Sequence, residues 1–194
     1  MRSFLILTAS LAALAACDRP KADIDPSAPM DATDVPASVA ELDGQVEEAQ
    51  DFVTSAAQAG LVEIRTSEMA VERAANADVK AFAQQMIDHH RGAVDSLSAA
   101  AGGAVLAPPP DVLDDFHMRR MNDLVETDGD ADFDADYMAL QVDAHDDAIR
   151  LYEAYAAGGD IAQLKTFAEE QLPALREHQT RAVQLRDAVK QSAP

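Results

Sequence analysis

Residues 102–130 read GGAVLAPPPDVLDDFHMRRMNDLVETDGD, and they decide how the long segments of this chain are connected. On either side lie two long segments whose apolar or small residues recur every three, four or seven positions, the spacing of an amphipathic helix. Gly102–Gly103 ends the preceding segment, Pro108–Pro110 makes a rigid connection, and residues 111–126 have the pattern of a short helix. A link of this length lets the chain cross a helical bundle lengthwise.

Four long helices are predicted around this link: helix A over about 42–75, helix B over 78–101, helix C over 132–157 and helix D over 160–190. Short turns at Asn76 and Gly158–Gly159 make A–B and C–D antiparallel hairpins. The predicted fold is therefore all-α, a ferritin-like antiparallel four-helix bundle with a long B–C crossover that contains a short helix. An up-down-up-down bundle, which needs no such link, is the alternative.

The composition fits closely packed helices and excludes some partners. Of the 194 residues, 48% are hydrophobic, few are aromatic, and none is Trp. The single cysteine rules out an intramolecular disulfide, so the fold has to rest on its apolar core. The 35 acidic residues outnumber the 15 basic ones, which gives a formal charge of −20. So acidic a surface repels nucleic acid, and no nucleic-acid partner is predicted.

The N-terminus has the features of an export signal. After a basic start, residues 4–14 are apolar but too few to span a bilayer. They end in Leu-Ala-Ala-Cys, residues 14–17, which resembles the bacterial lipobox. We therefore predict a lipoprotein signal peptide over 1–16 and lipidation of Cys17, the alternative being an ordinary signal peptide with an incidental cysteine. The expected location is the bacterial cell envelope, lipid-anchored and facing the periplasm, with the choice of inner or outer membrane open.

Residues 17–45 are predicted to be a disordered tether between the lipid and the domain. They combine four prolines with Asp, Ala and Ser and lack an apolar period. The helical bundle domain is then expected over residues 46–192. In this arrangement the chain contacts the membrane only through the lipid on Cys17.

Four polar residues lie on the otherwise apolar or small stripes of the four long helices: Glu63, His90, His145 and His178. In a bundle all four can point at the axis. Glu63 and His90 lie about equally far from the A–B turn, whereas His145 and His178 are expected to be staggered by roughly 7 Å. His89, one step off the stripe, is predicted to be solvated.

Two interpretations of these four residues remain open. Three imidazoles and one carboxylate suit a mononuclear site for Zn, Fe, Cu or Mn, so one transition-metal ion is the candidate cofactor. Alternatively, Glu63 pairs with one or two of the histidines in a buried hydrogen-bonded network. The network is slightly favoured, because histidines inside helices are more often structural than ligating.

The chain resembles a bacterial family known only as domain of unknown function 4142, a ferritin-like helical domain. The resemblance covers about residues 51–189, and its carriers lie in four segments: Phe52-Val53 to Gly60-Leu61-Val62-Glu63; Val79-Lys80-Ala81-Phe82-Ala83 with Met86 and His90; Phe133-Asp134 with Tyr137 and His145; and Leu172-Pro173-Ala174-Leu175 with His178. The resemblance implies an exported, often membrane-associated protein of unsettled activity.

One departure bears on the chemistry of the predicted site. Ferritin-like di-iron proteins use Glu-x-x-His on two helices. Here Ile87, Val142 and Leu175 stand three residues before the three candidate histidines. The sequence therefore argues against a di-iron oxidase centre.

Three functional hypotheses follow. The first is an envelope lipoprotein without established catalysis that acts as a binding or stress-related protein. The second is a metal-dependent binding or redox module built on the four polar residues. The third is a structural lipoprotein whose acidic helices dock an unknown protein partner. The sequence has no serine elbow, no phosphate-binding glycine loop and no cysteine beyond Cys17, so it leans away from an enzyme without deciding the question.

Overall fold

The computed structural model describes residues 39–192, so the predicted signal peptide (1–16), Cys17 and most of the predicted tether (17–45) lie outside the described residues. The described part is all-helical, as predicted, with α1 at Val39–Arg73, α2 at Ala77–Gly103, α3 at Asp115–Val125, α4 at Asp130–Gly158 and α5 at Ala162–Ser192. Predicted helices A, B, C and D correspond to α1, α2, α4 and α5, and α1 begins inside the end of the predicted tether. Across residues 39–192, no helix has the length and apolar character needed to cross a membrane.

Contacts at the two ends of α1 establish the helix directions. Near its start, the Phe52 ring stacks on Tyr155 near the end of α4, with ring centroids 4.1 Å apart. Further along, Ser67 Oγ lies 2.9 Å from the hydroxyl of Tyr137 near the start of α4. Helix α1 is therefore antiparallel to α4, and the short turn after Arg73 makes it antiparallel to α2 as well. Helices α2 and α4 thus run in the same direction, which confirms the predicted ferritin-like crossover.

Side-chain caps decide where α2 and α3 begin. The Asn76 carboxamide accepts a hydrogen bond from the Asp78 backbone N–H at 2.8 Å. The Asp114 carboxylate accepts one from the His117 backbone N–H at 2.8 Å. Each cap satisfies a backbone donor that has no partner in the first helical turn. Because Asp114 is the cap, α3 starts after it, later than the predicted residue 111.

Two polar side chains of α1 hold the crossover against the bundle. The Gln58 amide donates to the Val112 carbonyl and accepts from the Asp114 N–H, both at 2.9 Å. At the other end of α3, the Arg73 guanidinium donates to the Thr127 carbonyl at 2.6 Å. The long link is therefore attached at both of its ends.

Two glycines bound α4, the helix that carries His145. Gly129 precedes it with φ 82°, a conformation that L side chains rarely adopt. Gly159 follows it, and a Cβ there would lie 2.6 Å from Cε1 of Tyr155. Since Tyr155 stacks on Phe52, a larger residue at 159 would also disturb the core beneath it.

The core consists of two apolar clusters with a polar layer between them. The cluster nearer the start of α1 includes Phe52, Leu97, Tyr152, Tyr155 and Phe167. The other includes Phe82, Met86, Phe133, Tyr137 and Leu185. Along every long helix, the two sets are separated by buried polar residues: Glu63, Thr66, Ser67, His90, Gln141, His145 and His178. The packed side chains of both clusters thus hold the polar layer in place.

Candidate functional site

The structure places all four predicted residues in this polar layer, each on a different long helix. Their exposed fractions are 1% for Glu63, 4% for His90, 0% for His145 and 3% for His178. The His145 and His178 ring centroids lie 5.5 Å apart, so the expected stagger does not keep the rings apart.

Small residues line the space beside Glu63 and His90. Gly60 sits one turn before Glu63, and a Cβ there would be 3.5 Å from the Val94 side chain on α2, which is ordinary contact. A cavity of about 10 Å³ borders Glu63 and His90 and is lined on its other sides by small and apolar residues and by Tyr152. Its volume matches about one water-sized ligand. The site therefore has room for one small molecule beside the carboxylate.

The closest polar contact joins the carboxylate of α1 to an imidazole of α2. Glu63 Oε2 lies 2.8 Å from His90 Nε2, although the ring N–H direction is not aligned for a hydrogen bond. The second carboxylate oxygen, Oε1, lies 3.5 Å from His145 Nδ1. That nitrogen is also 2.8 Å from the backbone carbonyl of Gln141, so it carries the proton and donates to Gln141. His145 Nε2 is then left as the nitrogen with a free lone pair.

The groups of residues 39–192 do not satisfy every polar atom of this layer. Five of its buried side-chain atoms have no hydrogen-bond partner among the described residues: Glu63 Oε1, His90 Nε2, Gln141 Oε1, His145 Nε2 and His178 Nδ1. Leaving a buried polar group unpaired costs about 1–3 kcal/mol, so five such atoms in one layer need an explanation. The predicted network pairs Glu63 with nearby imidazoles but leaves these atoms without partners.

His89 is the residue that the sequence reasoning missed. It was expected to be solvated, but it is half-buried, and its Nδ1 is buried without a hydrogen-bond partner. Its ring centroid lies 4.6 Å from that of His178 and 5.4 Å from that of His90. The sequence feature that could have identified His89 is its position next to His90. Neighbouring residues on a helix are about 100° apart, so when one faces the core the other can lie at the edge of the buried stripe.

The potential ligand atoms fall into two groups of three. One consists of Glu63, His90 and His145, and the other of His89, His90 and His178, with ligand atoms within 4.8 Å of one another in each. The predicted set of four is therefore divided between two overlapping groups that share His90. His117 lies outside both, with its Nδ1 2.8 Å from the Asp114 carboxylate.

At neutral pH, Glu63 and His178 are in the protonation states that bind metal. Burial raises the pKa of Glu63, but attraction to His90 and His145 outweighs it and lowers the pKa to about 2. Burial, together with repulsion from His145 and His90, lowers the pKa of His178 to about 3. The layer thus presents a carboxylate anion and a neutral imidazole, which are the forms that a cation requires.

The residues do not fit the di-iron centre of ferritin-like oxidases. Such a centre uses a carboxylate from each helix of the bundle. Within residues 39–192, Glu63 is the one carboxylate in either ligand group. The ligand set is therefore suited to a single ion.

The family model for "Domain of unknown function (DUF4142)" matches residues 34–185. The chain belongs to the DUF4142 family. The match includes both ligand groups, and the family's description names no activity. No curated protein and no solved structure matches the chain.

The residues that carry the DUF4142 resemblance divide into two kinds. Some support the fold: the Asp134 carboxylate accepts hydrogen bonds from the backbone N–H groups of Ala75 and Asn76 at 3.1 and 2.8 Å. This ties the start of α4 to the α1–α2 turn. The others, including Glu63 and His90, form the polar layer. Motif residues of the first kind support the fold, and those of the second kind supply the buried polar side chains.

Proposed function

We propose that this DUF4142 domain binds one transition-metal ion through Glu63, His90 and His145, with His178 and His89 beside them. The main support for the proposal is a set of buried ligand atoms that have no hydrogen-bond partner among residues 39–192: Glu63 Oε1, His90 Nε2, His145 Nε2 and His178 Nδ1. A cation would satisfy the lone pairs that the network leaves unpaired.

The orientation of His145 supports this proposal over a purely structural network. Metal-binding histidines almost always donate their second ring N–H to a carbonyl or carboxylate, which fixes the tautomer and aims the other nitrogen at the ion. His145 does this with the Gln141 carbonyl at 2.8 Å. A network in which Glu63 served only to pair histidines would gain nothing from a free Nε2.

The ligand types define the class of ion. Two imidazoles and one carboxylate suit Zn²⁺, Fe²⁺ and Mn²⁺, and the small cavity beside Glu63 and His90 leaves room for one water-sized ligand. The proposed role is metal binding. A redox role is the second candidate, because the same three-ligand set is used by non-haem iron.

The proposed setting is the bacterial cell envelope. Its support is the sequence of residues 1–17, which resembles a lipoprotein signal with Cys17 as the lipidated residue. The hypothesis of an acidic surface that docks a protein partner stays a prediction.

The test compares metal content with stability. The full-length chain, purified without a histidine tag and carrying Cys17→Ser so that no thiol competes, is stripped with a chelator. Its melting temperature is then measured with and without Zn²⁺, Fe²⁺ or Mn²⁺. A ligand at 100 times its Kd stabilises the folded state by about 2.7 kcal/mol, which corresponds to about 5–10 °C for a chain of this size.

His90→Ala should abolish that rise in melting temperature, because His90 belongs to both ligand groups. His117→Ala, which removes a histidine outside both groups, is the matched control and should keep it. For each variant, the melting temperature with metal is compared with that of the same variant without metal. A loss of stability caused by the substitution itself therefore does not affect the comparison. If the stripped protein is folded and none of the three metals changes its melting temperature, the hydrogen-bonded network is the correct interpretation and the metal proposal is wrong.

A further inference from the structure

The second ligand group, His89, His90 and His178, differs from the first in two respects. It is all-imidazole, and it includes a half-buried residue, whereas Glu63, His90 and His145 are almost completely enclosed. His89 lies next to His90 in α2, and its ring is nearly perpendicular to that of His178, with centroids 4.6 Å apart. This group therefore connects the enclosed layer to the surface of the bundle.

The two groups compete for one residue. His90 belongs to both, and a neutral imidazole has one nitrogen with a free lone pair. It can therefore ligate one ion at a time. A metal ion in the outer group and a second in the inner group would need the same lone pair, so the two positions exclude one another.

We infer that His89, His90 and His178 form an outer loading position, from which a divalent cation passes to Glu63, His90 and His145. The inference rests on the proposed function. The ion first exchanges water for imidazoles at the outer position. His89 and His178 are then replaced by Glu63 and His145 while His90 stays bound. The step is a ligand exchange in which nothing is oxidised or reduced.

The physical reason is the burial of the inner group. The polar layer is enclosed between two apolar clusters, so a hydrated cation cannot enter it without losing its water. Moving an unhydrated ion into such an enclosed site costs free energy. A ligand that is partly exposed, as His89 is, lets the ion lose its water molecules one at a time. The anionic carboxylate then favours the inner position for a divalent ion, while the outer one suits Zn²⁺, Co²⁺ and Cu²⁺, which bind imidazole well.

The first test separates the rate of loading from the final affinity. Co²⁺ binding to the full-length Cys17→Ser chain is followed by visible absorption in a stopped-flow instrument. His89→Ala should slow loading by about tenfold or more, a change as large as the losses of affinity or activity that follow removal of a supporting group at metal sites. The final spectrum and equilibrium affinity should stay within about twofold of wild type. His117→Ala is the matched control and should load normally.

The outcomes distinguish the two proposals. A wild-type chain that binds no Co²⁺ overturns both the proposed function and this inference. Wild-type binding with an unchanged loading rate in His89→Ala overturns the inference alone. Loss of equilibrium binding in His89→Ala also overturns it, because His89 would then be a ligand of the final site.

A second variant should trap the ion at the outer position. Glu63→Gln keeps the shape of the side chain but removes the anionic ligand, so Cu²⁺ should remain with His89, His90 and His178. Its electron paramagnetic resonance spectrum should show hyperfine coupling to three imidazole nitrogens. The double variant Glu63→Gln/His89→Ala should lose this three-nitrogen pattern. A Glu63→Gln spectrum that His89→Ala leaves unchanged would contradict the outer position.

Discussion

Glu63 Oε2 on α1 lies 2.8 Å from His90 Nε2 on α2, and both side chains are almost completely buried. The contact joins the one carboxylate of the two ligand groups to the one histidine that both groups share. It places the negative charge of Glu63 beside His90, the ligand that an ion would keep as it moved from the outer group to the inner one. The chemistry of the layer therefore depends first on Glu63.

Glu63→Gln should weaken Zn²⁺ binding by at least about tenfold, because losing a direct anionic ligand should cost no less than losing a group that only supports a ligand. The measurement is a competition titration against a coloured chelator. Glu68→Gln is the matched control on the same helix, since Glu68 pairs with Arg65 and Arg91 at the surface. Equal affinities for the two variants would contradict a role for Glu63 as ligand.

Tyr137→Phe should destabilise the fold without changing metal affinity. Its hydroxyl lies 2.9 Å from Ser67 Oγ in a buried contact, so the substitution leaves the serine unpaired at a cost of about 1–3 kcal/mol. Urea denaturation measures the loss. The double variant Ser67→Ala/Tyr137→Phe removes both partners and should recover part of it. A double variant as unstable as the sum of the two single variants would rule out this pairing.

The metal-free protein should lose stability on acidification. Unfolded His178 takes up a proton near its ordinary pKa of 6.5, whereas its folded pKa is about 3. Between these values the unfolded chain binds more protons, so the free energy of unfolding falls as the pH falls from about 6.5. Glu63, with a pKa lowered from 4.5 to about 2, adds a further loss below about pH 4.5.

Urea denaturation midpoints measured at pH 7, 5.5 and 4 test whether stability falls with pH as expected. His178→Leu replaces the imidazole with an apolar side chain of similar size. It should flatten the fall between pH 7 and 5.5, although half-buried His89, whose pKa burial also lowers, should keep part of it. A variant whose midpoint falls as steeply as that of wild type would show that His178 is not the titrating group.

Cys17→Ser should abolish incorporation of labelled fatty acid into the protein. Cys17 is the one cysteine of the chain, so no other thiol can take its place. Expression with labelled palmitate, followed by gel autoradiography, measures the incorporation. A wild-type chain that remains unlabelled would overturn the lipoprotein proposal without affecting the metal proposal.

The sequence by itself determined the all-helical fold and its connectivity. Helical periodicity is a local property: residues three and four apart share a face, so the apolar stripes of four long helices could be read directly. The length of the link over residues 102–130 was enough to predict that α2 and α4 run in the same direction. The same stripes also identified Glu63, His90, His145 and His178 as residues that face the core.

Only the tertiary structure decided which atoms of these residues meet. The rotation and tilt of each helix are set by packing against all its neighbours, and a few degrees decide whether a residue at the edge of a stripe faces inward. His89 therefore joined the layer while His117 did not. The Gln141 carbonyl that orients His145, and the division of the ligands into two groups sharing His90, likewise depend on contacts between atoms far apart in the sequence.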